Sequence, residues 1–172
     1  MLRQLSIANF GLIESAEIEF GEGLQVVTGE TGVGKSMLVH SLAMLAGERT
    51  QSDRIRRGAD EARVAGFFPI DGTSVAAWID ELTGLTCADD GLRIERRLRR
   101  QGKHRVLLNG EEFPLSMLRQ VGAALIEMHG QRAQLSLLDP SAQLDRLDRY
   151  ADLIPKREAF ATAYRAARAL AR

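Results

Sequence analysis

The sequence lacks the features that would place a protein outside the cell or in a membrane. Its single cysteine, Cys87, excludes a framework of internal disulfide bonds. Arg3, Asn9 and Glu14 interrupt any apolar signal segment in the first residues. No apolar run approaches the roughly 20 residues that a membrane-spanning helix needs. We therefore expect a cytoplasmic protein without a membrane partner.

The sequence also has no excess of either charge. Lysine and arginine total 23, and aspartate and glutamate total 23, so the net charge does not indicate a nucleic-acid partner. His40, His104 and His129 have no partners at metal-ligand spacing, which argues against a zinc site. With 172 residues, 45% of them hydrophobic, the chain is long enough for one globular domain with a core.

The most informative motif is the segment 29–36, GETGVGKS, which fits the phosphate-binding pattern G-x-x-x-x-G-K-[ST]. Residues 24–28 before it predict a short buried strand. Residues 36–46 after it predict a helix, because leucines recur there at helical spacing. Strand, glycine-rich loop and helix therefore follow one another in the order that a nucleotide-binding loop requires.

The residue types of this loop suit ATP with Mg²⁺. Glycines let the backbone curl so that its N–H groups point at phosphate oxygens, and the helix N-terminus adds positive potential. Lys35 is expected to reach the β- and γ-phosphates as a catalytic group, and the Ser36 hydroxyl to bind Mg²⁺. The predicted nucleotide-binding residues here are Gly29, Glu30, Thr31, Gly32, Val33, Gly34, Lys35, Ser36 and Met37.

The remaining patterns predict a mixed α/β domain. Further strands are expected at 2–9, 16–20, 61–70 and 124–128, with a hairpin formed by 92–98 and 104–109. Helices are expected at 74–82, with Trp78 and Ile79 inward, and at 115–121.

The residues from 155 to 172 predict a helix of a different kind. Phe160, Tyr164, Ala167 and Ala171 are spaced as in a coiled-coil seam. An ordinary surface helix is the alternative, because the segment holds fewer than three heptads.

An acidic residue at the end of a buried strand, which an ATPase needs, is not evident. The candidate strand that ends in Asp71 contains a proline, and Glu127 lies in the middle of its predicted strand. The sequence thus indicates either a domain that binds nucleotide without hydrolysing it, or a catalytic half that lies on another segment.

Four segments along the chain are distinctive: LSIANF at 5–10, VTGETGVGKS at 27–36, IRRGADEA at 55–62 and MHGQ at 128–131. Together they resemble the RecN family of bacterial SMC-like DNA-repair ATPases. They occur in the family's order, and the resemblance covers residues 1 to about 150.

The resemblance implies an α/β P-loop fold, the N-terminal lobe of an ABC/SMC-type head with an added antiparallel sheet. Residues 1–152 would form this half-head and 153–172 the root of a coiled-coil arm. The C-terminal half of the head would bring the acidic strand and complete the ATPase. Two heads would then dimerise on ATP and act on DNA double-strand ends in the bacterial nucleoid.

The resemblance also gives roles to two residues outside the loop. Gln131 would be the Q-loop glutamine, a catalytic group and a ligand of Mg²⁺ opposite Ser36. Arg57 would approach bound phosphate from an arginine-rich turn that also holds Arg54 and Arg56. From the residues alone, the Gly-Gln pair is typical of a plain turn and the arginines of a solvated one.

A second basic cluster, Arg93 to Arg105, has seven lysines or arginines against Glu95, a local charge of +6. It could contact a phosphate backbone, or form a hairpin with one apolar face on the domain and its arginines outward.

Three other functions stay open at this point. The chain could be an autonomous nucleotide-binding or kinase domain with Asp71 or Glu127 as its acid, a RecF-type repair ATPase, or a DNA-binding scaffold with a structural P-loop.

Overall fold

The computed structural model of the protein describes residues 1–29, 34–70, 74–85, 91–128, 143–144, 147–148 and 150–170. The chain divides into two compact units, Met1–Glu127 and Met128–Arg172. The sequence-based division into 1–152 and 153–172 stays a prediction. No helix of the described ranges is both long and apolar enough to cross a membrane.

The first unit is built on a six-stranded antiparallel sheet in the order β2-β1-β3-β4-β5-β6. Its strands are β1 (Gln4–Phe10), β2 (Ile13–Glu19), β3 (Glu61–Phe68), β4 (Leu92–Arg99), β5 (Arg105–Leu108) and β6 (Glu111–Glu112). These confirm the strands predicted at 2–9, 16–20 and 61–70 and the predicted β4–β5 hairpin. β3 stops before Pro69, which has no N–H to donate to a neighbouring strand.

Three helices accompany the sheet in this unit: α1 (Gly34–Leu45), α2 (Ser74–Thr83) and α3 (Leu115–Leu125). They confirm the three predicted helices. In α2, Ile79 is buried as predicted, but Trp78 is 39% exposed, so its inward placement is wrong. The two residues are adjacent on a helix and point about 100° apart, so only one of them faces the core fully.

The core lies where α1 covers one face of the sheet. From β4 it takes Leu92, Ile94 and Leu98, which alternate along the strand and are fully buried. Met44 and Leu45 in the last turn of α1 are also fully buried. The C-terminal end of α1 is therefore seated deeply, whereas Gly34 and Ser36 at its N-terminal end are exposed.

The C-terminal end of α1 is capped by a glycine motif, and α3 packs closely against it. Gly47 has a φ of +93°, its N–H donates to the Met44 carbonyl at 3.2 Å, and the Glu48 N–H donates to the Ala43 carbonyl at 3.0 Å. On α3, a Cβ at Gly122 would lie only 2.5 Å from the Ala46 carbonyl oxygen. Glycine is thus required at this contact between the two helices.

Two predicted buried strands are wrong. Residues 24–28 have no regular structure, and Leu24, Val26 and Val27 are 89%, 74% and 51% exposed. No strand among the described residues pairs with them, so their apolar side chains are not buried against a sheet. The segment 124–128 differs because its first residues complete α3, where Leu118, Val121 and Leu125 continue a helical spacing.

The second unit contains α4 (Ile154–Leu170), which confirms the predicted C-terminal helix. Arg157 pairs with Asp148 at 3.2 Å, and the rings of Phe160 and Tyr164 stack with their centroids 6.1 Å apart. Both rings are more than half exposed. Their role in a coiled-coil seam stays a prediction.

Candidate functional site

The described ends of the glycine-rich loop, Gly29 and Gly34 to Met37, meet at the N-terminus of α1. The helix begins at Gly34, so its first N–H groups face the loop. The Lys35 ammonium donates a hydrogen bond to the Gly29 carbonyl oxygen, which joins the two ends of the loop. Glu30, Thr31, Gly32 and Val33 lie outside the described residues.

This donor set fits a nucleoside triphosphate with Mg²⁺. The first turn of α1 has no acidic residue, so no carboxylate of that turn opposes phosphate at the positive helix end. Lys35 supplies a cation and the exposed Ser36 a hydroxyl, the kind of oxygen that Mg²⁺ accepts. No group of three or more His, Cys, Asp or Glu side chains within the described residues could hold a metal by itself.

The predicted phosphate-contacting arginine, Arg57, occupies the corner of a tight turn. The Ala59 N–H donates to the Arg56 carbonyl at 3.0 Å, and Gly58 at the third position has a φ of +90°, as a type II turn requires. Arg57 is exposed, and within the described part of the chain its side chain makes no ion pair or hydrogen bond with protein. Its guanidinium is therefore available to a ligand.

Two neighbouring arginines hold this turn in place. Arg56 donates to the Leu12 carbonyl at 2.7 Å and pairs with Glu14 at 3.3 Å. Arg100 donates to the Ala59 carbonyl at 2.6 Å and to the Arg56 carbonyl at 3.0 Å. Sequence reasoning missed the role of Arg100, because its only signal was membership of the basic cluster in the β4–β5 hairpin.

One cavity lies between the arginine turn and α1, the helix that follows the glycine-rich loop. It has a volume of about 530 Å³, and Met37 and Arg57 both line it, together with Gly11, Leu12 and Arg100. Met37 comes so close to the β1–β2 turn that a Cβ on Gly11 would lie 2.2 Å from its sulfur. The structure thus brings together Met37 and Arg57, two predicted site residues that are 20 positions apart in the sequence.

Of the proposed glutamine and acids, the structure describes Glu127 alone. Gln131 and Asp71 lie outside the described residues. Glu127 is described, but it is exposed and lies in no strand. The prediction that Glu127 sits in a strand is therefore wrong, and nothing places it near the loop.

The basic hairpin is largely neutralised on one face of the sheet. Glu95 pairs at 2.5 Å with both Arg63 and Arg97, and Arg99 pairs with Glu61 at 2.8 Å. Burial acts to raise the pKa of Glu95, but the hydrogen bonds and charges of the two arginines outweigh it and lower that pKa.

The prediction that the hairpin arginines face outward is wrong for Arg96. It is only 2% exposed and lies on the core-facing side of β4, between Ile94 and Leu98. The strand alternation that points Arg97 and Arg99 toward solvent turns Arg96 inward.

Comparison with known proteins places the chain in a family. The family model of an AAA domain matches residues 4–167. The DNA repair protein RecN of Vibrio cholerae is 36% identical over 155 residues, 88% of this chain and 27% of the relative. RecN of Streptomyces coelicolor is 38% identical over 170 residues, 98% of this chain and 30% of the relative. The chain thus spans about a quarter to a third of the length of these curated relatives.

Solved structures give the same fold. A Smc head domain with an extended coiled coil from Pyrococcus furiosus, bound to the C-terminal domain of ScpA, matches with a TM-score of 0.67 at 21% identity, over 99% of this chain and 47% of that one. RecF with bound ATP matches with a TM-score of 0.58 at 20% identity, over 92% of this chain and 40% of that one. At these identities the likeness establishes the fold alone, the N-terminal lobe of an SMC-type head.

The family match and the RecN relatives lead to the same assignment, and they agree with the P-loop helix and the added antiparallel sheet described above. The chain belongs to the AAA domain family and, within it, to the RecN type of SMC-like proteins.

Proposed function

We propose that this chain is the ATP-binding half of an SMC-like ATPase head that acts in DNA double-strand break repair and recombination. The observation that carries the proposal is the joining of the loop ends by Lys35 and Gly29 at the start of α1, beside a cavity lined by Met37 and Arg57. The RecF-type alternative has less support, because the curated relatives at 32–39% identity are RecN proteins.

Each residue of the site has a chemical role in this proposal. The backbone of residues 29–34 surrounds the β- and γ-phosphates of ATP, and Lys35 neutralises their charge. Ser36 and Gln131 would hold Mg²⁺, which would supply positive charge to the phosphates, and Gln131 would also sense the γ-phosphate. Arg57 approaches the phosphates from the arginine turn, where a planar guanidinium suits their oxygens.

The chain would not complete the reaction by itself. The remaining part of the head supplies the acid that positions the attacking water, and two heads join face to face when ATP is bound. The helix α4 begins the coiled-coil arm that links the two halves, and DNA ends are the substrate of the assembled protein in the nucleoid of the bacterial cytoplasm.

The experiment measures ATP binding and hydrolysis by this chain, alone and together with the C-terminal half of the head. We expect binding by the chain alone, hydrolysis only with both halves, and loss of both activities in Lys35→Ala. Lys156→Ala, an exposed lysine on α4, is the matched control and keeps both activities. Hydrolysis or phosphotransfer by the chain alone would contradict the proposal and favour an autonomous ATPase or kinase.

A further inference from the structure

Arg96 is a buried cation that no carboxylate of the described residues pairs with. Its side chain occupies a core-facing position of β4 and is 98% buried. Nη1 donates to the Met44 carbonyl at 2.8 Å and to the Glu48 carbonyl at 3.0 Å. No acidic side chain in the described part of the chain forms an ion pair with it, and the adjacent Glu95 is already used by two other arginines.

One donor of Arg96 is left unused. Its Nε is buried and has no hydrogen-bond partner among the residues that the structure describes. A buried donor without a partner is costly, and such groups in native structures require an explanation. The contacts of Nη1 explain how Arg96 closes the C-terminal end of α1, but they do not account for Nε.

The surroundings of Arg96 are positive. Burial, followed by the nearby charge of Arg119, lowers the pKa of Arg96 to about 10, so the guanidinium stays charged at neutral pH. Arg119 is itself held at the same helix end, where its Nε donates to the Gly47 carbonyl at 3.2 Å. Two guanidinium groups therefore lie close together at the end of α1, an arrangement that an anion would stabilise.

A cleft opens onto this buried cation. It has a volume of about 1010 Å³, and Arg96, Arg49, Lys103 and His104 are among its lining residues. We call it the Arg96 cleft. Nδ1 of His104 accepts a hydrogen bond from the Arg99 N–H at 3.1 Å, so a neutral imidazole carries its proton on Nε2 and can donate it.

Acidic side chains in the cleft reduce its positive charge only slightly. The acidic residue among the lining residues described is Glu112, and its carboxylate lies 3.7 Å from the guanidinium of Arg105. The cleft thus offers three permanent cations and an imidazole donor against one carboxylate that already faces a cation.

The Arg96 cleft is separate from the glycine-rich loop. Arg96 binds carbonyls at the C-terminal end of α1, whereas the loop meets its N-terminal end. The 12 residues of α1 span about 18 Å at the rise of an α-helix. A phosphate on Lys35 cannot also reach Arg96 at that distance.

We propose that the Arg96 cleft is a second anion site, which binds a phosphate group through Arg96, Arg49, Lys103 and His104. The phosphate could be a free phosphate or part of a DNA backbone, and both present the same tetrahedral oxygens to these donors.

The test follows the Nε–H signal of Arg96 by NMR while inorganic phosphate is added. The protein carries Lys35→Ala, which removes the phosphate contact at the loop, and potassium chloride at the same ionic strength is the reference. We expect a saturable shift with phosphate and none with chloride. Lys103→Ala and Arg49→Ala should each weaken phosphate binding about fivefold, the effect of one lost surface charge contact.

Arg93→Ala is the matched control, because Arg93 lies on the same strand but on the opposite face from Arg96. It should leave the phosphate affinity unchanged. A shift that does not saturate, that chloride reproduces, or that neither Lys103→Ala nor Arg49→Ala weakens would overturn the site. Both Lys103→Ala and Arg49→Ala change the surface of the cleft and leave the buried Arg96 in place, so the test does not depend on a core substitution.

A second arm identifies the source of the phosphate. A short DNA duplex that competes with inorganic phosphate for the Arg96 signal supports a backbone phosphate. A phosphate-saturated signal that DNA leaves unchanged supports a free phosphate. Absence of a saturable shift with both probes overturns the proposal.

Discussion

Arg100 donates a hydrogen bond of 3.0 Å from Nη2 to the carbonyl oxygen of Arg56, the residue directly before Arg57. The same guanidinium reaches the Ala59 carbonyl at 2.6 Å, on the other side of Arg57. The β4–β5 hairpin is thereby bonded to both ends of the type II turn. Arg57 is presented by a turn whose geometry is fixed by a side chain 43 positions later in the sequence.

We predict that Arg100→Met lowers ATP affinity by acting through Arg57. Loss of the Arg57 guanidinium in Arg57→Ala should weaken ATP binding about tenfold, and the loosened turn in Arg100→Met about fivefold. The double variant should be no weaker than Arg57→Ala, because the two residues act as one unit. Isothermal titration of the four proteins with ATP and Mg²⁺ measures this.

The control for this cycle is Arg93→Met, which removes an exposed arginine of the same hairpin and should leave the affinity unchanged. Arg100→Lys should not restore binding, because an ammonium cannot reproduce the planar fork that reaches several carbonyls. Effects of Arg57→Ala and Arg100→Met that add in full would show that Arg100 does not act through Arg57.

Glu95 links β3 to β4, and its loss should destabilise the sheet. Its side chain is 8% exposed and accepts hydrogen bonds from Arg63 and Arg97. Glu95→Gln should lower the free energy of unfolding by about 2 kcal/mol near neutral pH, the size expected for lost charged hydrogen bonds. Urea unfolding measures this, and Glu61→Gln, whose pair with Arg99 is more exposed, should cost less than about 1 kcal/mol.

The contribution of Glu95 should depend on pH with a definite sign. Because its pKa is lowered on folding, the stabilisation is complete above the ordinary value of 4.5 and is lost as the pH falls through the folded value. The difference in Tm between the wild type and Glu95→Gln should therefore narrow as the solution is made acidic below about pH 4.5. A constant difference across this range would contradict the ion-pair explanation.

The sequence patterns that held were those in which a residue's neighbours along the chain decide its structure. The helix α1, the β4–β5 hairpin and the helix α3 all have such local signals. The patterns failed where a distant partner decides. Residues 24–28 carry a strand pattern without a described strand to pair with, and the placement of Arg100 against the arginine turn depends on the fold of the whole sheet.

Arg96 shows a different kind of failure. Charge in an amphipathic strand normally marks the solvent face, and Arg93, Arg97 and Arg99 follow that rule. Arg96 lies an odd number of residues from these three arginines, so strand alternation by itself places it on the core face beside Ile94 and Leu98. The carbonyls at the end of α1 satisfy Nη1 of the buried Arg96, and no local sequence pattern reveals them.

The contact between α1 and α3 predicts that alanine destabilises the protein by different amounts at two glycines of the same backbone conformation. Gly47 and Gly102 have φ angles of +93° and +89°. A Cβ on Gly47 would lie 2.8 Å from Cα of Arg119, whereas one on Gly102 would meet nothing within 4 Å. Both alanine variants incur left-handed strain of about 1 kcal/mol, and Gly47→Ala should cost about 2 kcal/mol more through the clash.

Thermal unfolding of the two variants measures this difference. Gly102→Ala is the control that isolates the backbone strain, since its turn is open to solvent. Equal destabilisation by Gly47→Ala and Gly102→Ala would show that α3 moves aside at no cost, and that the close contact does not fix the end of α1.

The exposed apolar segment 24–28 gives the last prediction, which depends on the split-head proposal. Leu24, Val26 and Val27 precede the glycine-rich loop directly, and their side chains are at least half exposed. If the C-terminal half of the head adds strands beside them, the amides of 24–28 should exchange rapidly in this chain and slow about a hundredfold in the two-part head.

Hydrogen exchange read by mass spectrometry tests this, with the amides of β3 as the internal control because they are paired on both sides by β1 and β4. Exchange at β3 should be slow in both samples. The two halves together could hydrolyse ATP while the amides of 24–28 still exchange rapidly. The strands of the C-terminal half would then pair elsewhere. In that case α1 and the arginine turn would position the glycine-rich loop, without a strand before it.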